Sequence, residues 1–462
     1  MNRLHPDIVL VRHNDGAYGN TRLPNSLNKA QGVTPPLGLA YIASNLEKYG
    51  YSVGIIDMQA GNLTPEEYRI LIMSMKPEYV GVSAMTPNVL GALNILKITK
   101  EVNIGIKTVI GGVQMSVYPK ETMSYNFVDY GIIGEGEESF IDLIERRYDA
   151  DGLCYKNNET IVVNKNRSPN CNLDALPFPA RHLLPNNKYS SVIMRYPMTS
   201  ILAARGCPFN CNFCFKDQYL HYRTRSVNNV VEEMKECIDT YKVKEIGFYN
   251  DCFPSKKYLG ELCQAIIDRN VKVLWSAPQR IDLVDRELLI LMKASGCVGL
   301  RYGVESGNQY ILDLMNKKTR LDDVRKVFKL TRDIGIETFG YFMIGYSEDN
   351  EATTRDTINF AKELNPDWIM FTVATPLPNT EFMNQVKDLI DIDYWKKYTL
   401  GQTKDRIPFV MNNADKVCEK AYKEFYLRPQ YIWNKVKSLR NFEQFKQYVN
   451  GGMSLLRFRM VD

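Results

Sequence analysis

Short apolar runs alternate with helical segments along the first third of the chain. A helical stripe of apolar residues begins after Pro36 and ends at Gly50. Continuous apolar strands separated by helices predict a parallel sheet that is covered by helices on both faces. We therefore predict a doubly wound, Rossmann-like α/β domain over residues 1–145. Its five predicted strands span residues 8–11, 53–56, 79–83, 107–110 and 130–133.

The same alternation returns near residue 199, after an irregular stretch. Residues 146–198 contain Asn-Asn and Pro-Phe-Pro breaks, which predict a short hairpin and a connector. Residues 199–390 then repeat a strand followed by a helical segment, which predicts an open or partial (β/α)6 barrel. Its six predicted strands span residues 200–204, 245–249, 271–276, 298–304, 337–344 and 368–373.

The last part of the chain, residues 391–462, carries no strand signal. Residues 421–426 and 429–439 have helical patterns, so we predict a helical C-terminal segment. Such a segment either covers the mouth of the barrel and shapes a substrate pocket, or stabilises the barrel without contacting substrate.

The composition indicates a globular protein without a nucleic-acid partner and without a transmembrane segment. The chain has 462 residues and a formal net charge of +5 that is spread along its length. No apolar stretch approaches the roughly 18 residues of a transmembrane segment, and the N-terminus lacks the apolar core of a signal peptide. We therefore expect a cytoplasmic protein, in a reducing compartment where its ten cysteines give no argument for disulfides.

Three cysteines follow the first predicted barrel strand: Cys207, Cys211 and Cys214. Four-iron clusters are held by one thiolate per iron, so three cysteines leave one iron open to a cofactor or substrate. In parallel barrels the chemistry gathers at the carboxyl ends of the strands, which is where this loop lies. The alternative is a zinc site completed by a distant Cys or His, of which His221 is the nearest histidine. The ligand count favours the cluster.

The pattern Cys-x3-Cys-x-Phe-Cys, with Phe213 before the third cysteine, resembles the signature of the radical S-adenosylmethionine (SAM) enzymes. The resemblance implies that the open iron of a 4Fe-4S cluster chelates the amino and carboxyl groups of SAM. Reduction of the cluster would then cleave SAM to a 5′-deoxyadenosyl radical. The resemblance also implies an electron donor, such as flavodoxin or ferredoxin, and it places Phe213 at the SAM site.

Other strand ends of the barrel supply the remaining residues that the resemblance assigns to SAM. Asn250 and Asp251 follow the second strand, at the position of a polar motif that receives the SAM amino group through a charge-assisted hydrogen bond. Asp251 alternatively caps the next helix. Ser276 ends the third strand and is assigned to the ribose, unless it is only a turn residue. Glu305 resembles the acid near the ribose and amine, and Gly345 allows adenine to stack on the backbone.

Two loops depart from the amino-acid sequence that is usual in the family. Residues 346–350 replace the frequent Leu-Pro-Gly-Glu-Thr after the fifth strand, which changes the adenine-side loop. Asn379 stands where glycine is frequent, and asparagine tolerates the left-handed backbone conformation.

The strand ends of the first domain carry small residues that let a large flat ligand approach the backbone. Glycines after parallel strands also serve as plain turns, so each loop alone is weak evidence. No Gly-x-Gly-x-x-Gly follows the first strand, so a dinucleotide is not the expected ligand. Set before a radical SAM motif, the domain resembles the cobalamin-binding domain of the cobalamin-dependent radical SAM enzymes. The resemblance assigns to cobalamin Ser83, Thr86, Gly111, Gly112, Gln114, Gly134, Glu135 and Gly136.

The chain lacks the Asp-x-His-x-x-Gly motif that supplies a lower axial histidine in better-known cobalamin proteins. None of its four histidines, His5, His13, His182 and His221, stands in that context. We therefore expect no histidine ligand on the lower face of cobalt, as is common in this radical SAM class.

Together these resemblances imply a cobalamin-dependent radical SAM methyltransferase with a small-molecule or natural-product substrate. The expected reaction moves a methyl group from methylcobalamin to an unactivated carbon or similar centre, after hydrogen abstraction by the 5′-deoxyadenosyl radical. A cobalamin-dependent cyclase, oxygen-inserting or rearrangement enzyme would share both domains and remains the alternative. A methylthiotransferase is disfavoured because its N-terminal domain carries cluster cysteines, whereas residues 1–150 contain none. An iron–sulfur electron carrier is disfavoured because it needs no open iron.

Overall fold

Two mainly parallel sheets, one in each half of the chain, form the frame of the molecule. The computed structural model describes residues 5–14, 32–191, 193–215, 221–251, 253, 255–403, 405 and 407–437. The first sheet has the strand order β2-β1-β3-β4-β5-β6-β7. Its parallel strands are β1 (Ile8–Arg12), β2 (Val53–Asp57), β3 (Tyr79–Ser83), β4 (Lys107–Gly111) and β5 (Tyr130–Ile132), each within one residue of its predicted bounds.

Helices cover both faces of the first sheet, which confirms the doubly wound prediction. Along β1, Val9 and Val11 pack into one apolar core, while Ile8 and Leu10 pack into another on the opposite face. Side chains of a strand alternate between faces, so an uninterrupted apolar run fills two cores. The helices are α1 (Leu37–Lys48), α2 (Met58–Gly61), α3 (Pro65–Met75), α4 (Val89–Val102), α5 (Val113–Val117), α6 (Pro119–Met123) and α7 (Gly136–Ile144).

The predicted hairpin forms and joins the first sheet. Strands β6 (Leu153–Asn157) and β7 (Thr160–Val163) pair antiparallel, and β6 pairs antiparallel with β5. The first sheet therefore continues past residue 145, where the sequence placed the end of the first domain.

The second sheet is an open barrel of six parallel strands in the order β15-β14-β13-β12-β11-β8. Neighbours in this sheet are also neighbours along the chain, as the partial (β/α)6 prediction requires. The strands are β8 (Met198–Ile201), β11 (Glu245–Phe248), β12 (Leu274–Gln279), β13 (Cys297–Glu305), β14 (Glu337–Ile344) and β15 (Trp368–Val373).

The strand before the cysteines is shorter than predicted. The prediction of one strand over residues 200–204 is wrong, because the chain leaves the sheet after Ile201. The Asn250 side chain accepts hydrogen bonds from the N–H groups of Ala203 and Ala204 at 2.6 and 3.2 Å, and this turns the chain away from the sheet. Two further short strands, β9 (Ala204–Arg205) and β10 (Arg223–Thr224), then pair antiparallel and flank the cysteine loop in the chain.

The third barrel strand is displaced toward the C-terminus relative to its prediction. The expectation that it ends at Ser276 is wrong, since β12 continues to Gln279 through Pro278. On one side β12 pairs with β11 only as far as Ser276, and beyond that residue it pairs with β13 alone. Proline lacks the N–H that a ladder needs, so a strand tolerates it where one side has no partner.

Helices alternate with the barrel strands and pack on the outer face of the sheet. Their first residues follow capping side chains: Ser226, Ser255 and Asp285 each accept a backbone N–H at the start of a helix. The described part of the chain contains no helix with the length and apolar character of a membrane span. The helices are α8 (Val227–Tyr241), α9 (Lys256–Asp268), α10 (Arg286–Ala294), α11 (Gln309–Leu314), α12 (Leu321–Asp333), α13 (Glu351–Leu364) and α14 (Glu381–Gln385).

The C-terminal segment is helical, as predicted, and it divides between the two domains. Helix α15 (Tyr394–Thr399) packs into a core of the first domain, where Trp395 is fully buried. Helices α16 (Ala414–Tyr426) and α17 (Pro429–Lys437) pack against the barrel. Residues 438 and 439 of the second predicted helix lie outside the described residues.

Two tyrosines of α16 cover the open edge of the barrel at β15. The Tyr422 hydroxyl accepts the N–H of Phe371 at 3.0 Å and donates to its carbonyl at 3.1 Å. The Tyr426 hydroxyl does the same at Ile369, with both distances 3.0 Å. Four helical residues rise about 6 Å and two strand residues about 6.6 Å, so the two spacings match. The pair replaces a neighbouring strand and protects the edge.

We predict that Tyr422→Phe destabilises the barrel by about 1–3 kcal/mol, because it leaves a buried N–H and carbonyl without a partner. The measurement is the free energy of unfolding from urea titration. Tyr310→Phe is the matched control, since the Tyr310 hydroxyl reaches only Glu348 at an exposed position. Equal stability of the two variants would contradict the edge-capping role.

Candidate functional site

The cysteine loop lies at the carboxyl end of the barrel and is held through Asn212. The N–H and side chain of Asn212 donate to the carbonyls of Met315 and Leu314 at 2.9 and 2.8 Å. Its own carbonyl accepts the N–H of Phe382 at 2.8 Å. The loop is thereby fixed between α11 and α14 at a residue between two of the cysteines.

The three thiols lie in unequal environments. Cys211 is buried, whereas Cys207 and Cys214 are exposed. Arg280 places Nη1 3.9 Å from the Cys211 sulfur and stacks its guanidinium 3.8 Å from the ring centre of Phe209.

The neighbours of Cys211 favour its thiolate form. A hydrogen bond from the Cys214 thiol, with the nearby charges of Lys317 and Arg280, lowers the pKa of Cys211 to about 6 against the effect of burial. As the donor in that bond, Cys214 has a raised pKa. The thiolate is the form of cysteine that binds metal, so this site favours metal ligation at Cys211.

The zinc alternative has no ready-made tetrahedral site among the described residues. A zinc site brings four side chains to one point, and among the described residues no three His, Cys, Asp or Glu side chains converge on a single ion. In a four-iron cluster each thiolate binds a different iron, so its ligands do not converge on one metal ion. His221, the nearest histidine in the zinc alternative, is exposed.

Asn250 and Asp251 connect β11 to the start of the cysteine loop. Asn250 is buried, and its side-chain Nδ2 has no hydrogen-bond partner among the described residues. The Asp251 carboxylate accepts the N–H of Gly206, yet burial raises its pKa overall. The helix-cap alternative for Asp251 is wrong, because Ser255 caps α9. A partly desolvated carboxylate beside an unpaired amide can receive a cationic ligand group; the contact with SAM stays a prediction.

Glu305 ends β13 with φ +70°, a backbone conformation that residues other than glycine rarely adopt. The register between β13 and β14 shifts at this point. Its carboxylate accepts a hydrogen bond from Lys317 Nζ at 2.8 Å, and both side chains are buried. Gly303 makes room for this pair, because a Cβ there would lie 2.3 Å from Glu305 Oε1 and 2.9 Å from Lys317 Nζ. The strand end therefore presents a buried ion pair beside the cysteines.

The other residues assigned to SAM have mixed surroundings. Ser276 lies within β12, buried, and its hydroxyl lies 3.4 Å from Nη1 of Arg301. Gly345 follows β14 with φ +83°, and a Cβ there would lie 3.1 Å from Met411 and 3.3 Å from Ala414, so the C-terminal segment covers that side. Phe213 packs into the apolar cluster that contains Tyr346 and Phe382. Asn379 has φ +58°, which confirms the left-handed conformation.

The loops after β3 and β4 of the first domain interlock at a glycine. Gly112 has φ +88°, and a Cβ there would lie 2.5 Å from the Ala84 carbonyl and 2.8 Å from the Ser83 hydroxyl oxygen. The N–H of Ala84 donates to the carbonyl of Gly111 at 2.9 Å. Ser83 is exposed at the strand end, whereas Thr86 is buried. Together these residues form a close-packed rim at the carboxyl edge of the sheet.

Gln114 connects this rim to the C-terminal segment. It is fully buried, and its amide donates to the hydroxyls of Thr122 and Thr399 at 3.0 and 3.1 Å. Its side-chain carbonyl oxygen has no partner among the described residues. Thr399 belongs to α15, so the C-terminal segment contributes to the predicted cobalamin side of the molecule.

The loop after β5 combines two small residues with an acid that contacts the second domain. Gly134 has φ +78° with open space where a Cβ would stand, and Gly136 packs against Ile42. Glu135, in contrast, binds arginines of the second domain: its carboxylate accepts from Arg223 and Arg205 at 2.8 to 2.9 Å. The carboxylate of Glu135 is thus already engaged, and any contact with cobalamin stays a prediction.

Of the four histidines, His13 is the one placed at the carboxyl edge of the first sheet. It directly follows β1 and is buried, whereas His5, His182 and His221 are exposed. The absence of a histidine ligand to cobalt stays a prediction, and His13 is the residue to test against it.

Three residues near the cysteines had no assigned role in the sequence predictions: Arg205, Arg280 and Lys317. Arg205 stands two positions before the first cysteine and Arg280 directly follows β12, so their positions in the sequence gave a signal for both. Lys317 follows α11, far from a strand end, and no periodicity distinguishes it from Lys318 beside it.

Comparisons with known proteins match both halves of the chain. The family model of the B12 binding domain matches residues 26–144, and that of the Radical SAM superfamily matches residues 201–361. An uncharacterized methyltransferase of Pyrococcus horikoshii is 31% identical over 422 residues, which cover 88% of this chain and 91% of that protein.

A second relative carries a different activity in its name. The anaerobic magnesium-protoporphyrin IX monomethyl ester cyclase of Rubrivivax gelatinosus is 29% identical over 437 residues, covering 89% of this chain and 78% of that protein. Among solved structures, the cobalamin-dependent SAM radical enzyme OxsB, with aqua-cobalamin and SAM bound, superposes with a TM-score of 0.70. It is 15% identical and covers 98% of this chain and 72% of that chain, so it supports the two-domain fold.

We predict that Gly303→Ala weakens SAM binding about tenfold, equivalent to ~1.4 kcal/mol, because the added Cβ displaces the Glu305–Lys317 pair. The dissociation constant of SAM, measured with the cluster-loaded protein, tests this. Gly299→Ala is the matched control on the same strand, since its Cβ would meet Ser276 and Glu337 only at 3.7 and 3.9 Å. Equal affinities of the two variants for SAM would contradict the assignment of the Glu305–Lys317 pair to the SAM site.

Proposed function

The chain belongs to the cobalamin-dependent radical SAM enzymes, and from that premise we propose that it is a methyltransferase acting on a small-molecule substrate. The observation that carries the proposal is the joining of the cysteine loop to the loop after β5, through Arg205 and Glu135 at 2.9 Å. This contact places the carboxyl ends of both sheets next to one another. The 31% identity to a methyltransferase over most of both chains supports methyl transfer as the reaction.

We assign the residues of the barrel to two tasks in this reaction. Cys207, Cys211 and Cys214 hold the cluster, and the anchored Asn212 fixes their loop. Glu305, Asp251 and Lys317 bind the amino-acid end of SAM, because two acids and a lysine complement an ammonium and a carboxylate. When bound, the cluster and SAM supply a radical that abstracts hydrogen, and cobalamin supplies the methyl group.

The residues of the first domain bind cobalamin mainly by offering a surface that is complementary in shape to the macrocycle. The rim at Ser83, Gly111 and Gly112 brings backbone to the surface of the cleft, where a flat macrocycle can lie against it. Met85, more than half exposed beside this rim, offers an apolar contact. Gln114, buried with one unpartnered oxygen, can accept a hydrogen bond from a ligand amide.

A radical cyclase is the second candidate, and one observation favours it. The cyclase of Rubrivivax gelatinosus is nearly as similar to this chain as the methyltransferase of Pyrococcus horikoshii, at 29% against 31% identity. Both reactions need the same cluster, SAM and cobalamin, so the two are separated by the fate of the methyl group.

Reduction of the cluster needs an external electron source. We propose a small electron carrier, such as flavodoxin or ferredoxin, as that partner. The cytoplasmic location expected from the composition is part of the same proposal.

We predict that Cys207→Ala abolishes SAM cleavage and leaves cobalamin binding within about twofold, because the two cofactors bind different domains. The measurements are 5′-deoxyadenosine formed under reducing conditions and cobalamin retained per protein, read from the absorption spectrum. Cys171→Ala is the matched control, an exposed cysteine outside the motif. SAM cleavage by the Cys207 variant would contradict the cluster assignment, and loss of cobalamin would contradict the division between domains.

We predict that, under reducing conditions that supply cob(I)alamin as the acceptor, methyl-labelled SAM transfers its label to protein-bound cobalamin in the absence of substrate and leaves S-adenosylhomocysteine. A methyltransferase must load its methyl carrier, whereas a cyclase has no use for the label. Mass spectrometry of the extracted cobalamin and quantification of 5′-deoxyadenosine are the two measurements. SAM cleavage without any labelled cobalamin would favour the cyclase.

A further inference from the structure

An arginine beside the first cysteine reaches across to the first domain. Arg205 stands two positions before Cys207 and donates to Glu135 at 2.9 Å and to Glu137 at 2.6 Å. Both acids lie at the first turn of α7, directly after the loop that follows β5. The side chains are largely excluded from solvent, at 17% exposure for Arg205 and Glu135 and 8% for Glu137.

A second arginine holds the same acid from the other strand of the hairpin. Arg223 donates to both oxygens of Glu135, at 2.9 and 2.8 Å. Arg205 belongs to β9 and Arg223 to β10, and the two residues face one another in the register of this hairpin. The cysteine loop begins directly after β9, so both strands of the short hairpin beside it are tied to Glu135.

Tyr41 of α1 contacts Arg205 and also Arg225, and through Arg225 it connects this contact to a second group of buried charged residues. The Arg205 guanidinium lies 5.0 Å from the ring centre of Tyr41, and Arg225 donates to the Tyr41 hydroxyl at 3.3 Å. Arg225 and Arg181 share the fully buried Glu233. Asn45, one turn along α1, donates to the carbonyl of Glu137 at 2.8 Å and fixes that acid from the side of the first domain.

We propose that Arg205 is a positioning residue that fixes the cysteine loop to the first domain and thereby sets the separation of the cluster and cobalamin. The proposal rests on the proposed function, since both cofactors must be present for their separation to matter. Neither Arg205 nor its acids need touch a reacting atom. Their role is to restrict the motion of the two domains relative to one another, because each domain holds one cofactor.

The chemistry of the contact suits a rigid joint. A guanidinium presents several donors in one plane, so Arg205 can bind two carboxylates at once, which a lysine cannot do with the same geometry. Charge-assisted hydrogen bonds are short and directional, and low exposure protects them from screening by salt. The acids also lie at the N-terminus of α7, where the helix dipole favours negative charge.

The experiment measures the distance between the two cofactors in the loaded full-length protein. Reduced cluster and cob(II)alamin are both paramagnetic, so pulsed dipolar electron paramagnetic resonance reports their distance distribution. We expect Arg205→Gln to at least double the width of this distribution while keeping iron and cobalamin content within about twofold of wild type. Arg205→Lys, which keeps the charge but reaches one acid, should give an intermediate width.

The matched control is Arg325→Gln. Arg325 also binds a carboxylate through two nitrogens, with Glu363 at 2.6 and 3.2 Å, but both residues lie on barrel helices. The distribution of cluster–cobalamin distances in Arg325→Gln should equal that of the wild-type protein. The double variant Glu135→Gln, Glu137→Gln removes both carboxylates of the contact from the first domain without changing the cysteine loop. Its distance distribution tests the proposal if Arg205→Gln loses its cluster.

A distance distribution that is as narrow as in the control, in the double variant Glu135→Gln, Glu137→Gln or in a cluster-loaded Arg205→Gln, would overturn the proposal. That result differs from a failure of the proposed function. The proposed function fails if wild-type protein binds no cobalamin or cleaves no SAM, and this is measured before any distance is compared.

Discussion

The ion pairs between the two α/β domains are the constraint on which the functional arrangement depends. Each sheet alone exposes its ligand-binding edge to solvent. Apolar residues that follow the barrel strands, such as Met383 and Trp395, pack into a core of the first domain and help to join the two domains. The ion pairs act at the edges themselves, because each bond joins the loop after β5 to the hairpin beside the cysteines; they involve Glu135, Glu137, Arg205 and Arg223. Buried charges cost several kcal/mol to desolvate, so this joint is better understood as a device for geometry than as a source of stability.

The open barrel has two edge strands whose outer backbone groups lack a neighbouring strand. Side chains bind some of these groups at both edges. At β15, Tyr422 and Tyr426 take the place of a neighbouring strand. At β8, Arg181 donates to the carbonyl of Ser200 at 2.7 Å while it binds Glu233. One edge is therefore completed by the C-terminal segment and the other by the connector between the domains. Both segments therefore supply hydrogen-bond partners for backbone groups at the open edges of the barrel.

The strands and the cysteine motif could be predicted from the sequence because both are local patterns. Apolar runs located β1 to β5 to within one residue, and the spacing of Cys207, Cys211 and Cys214 identified the cluster loop. The end of β12 was missed because Pro278 normally stops a strand, and only the tertiary pairing shows that one side of β12 is free at that point. The contacts of Glu135 with Arg205 and Arg223 could not be predicted for a similar reason, since these partners lie 70 and 88 residues away in the chain.

The pair Glu305–Lys317 shows how a site can be held ready for a zwitterion. Alone, either charge would be costly to bury beside Cys211, because an unpaired ion in a medium of low dielectric loses its hydration without compensation. Glu305 and Lys317 lie 2.8 Å apart, and the pKa of Lys317 is raised, since the attraction of Glu305 and Cys211 outweighs the effect of burial. A ligand that brings one ammonium and one carboxylate can separate the pair and bind both members, so the number of paired charges rises while the net charge of the site stays the same. An amino acid end, such as that of SAM, has this property, whereas an inorganic anion would leave Glu305 unpaired. The proposed preference of this site for a zwitterion therefore rests on the ion pair between Glu305 and Lys317.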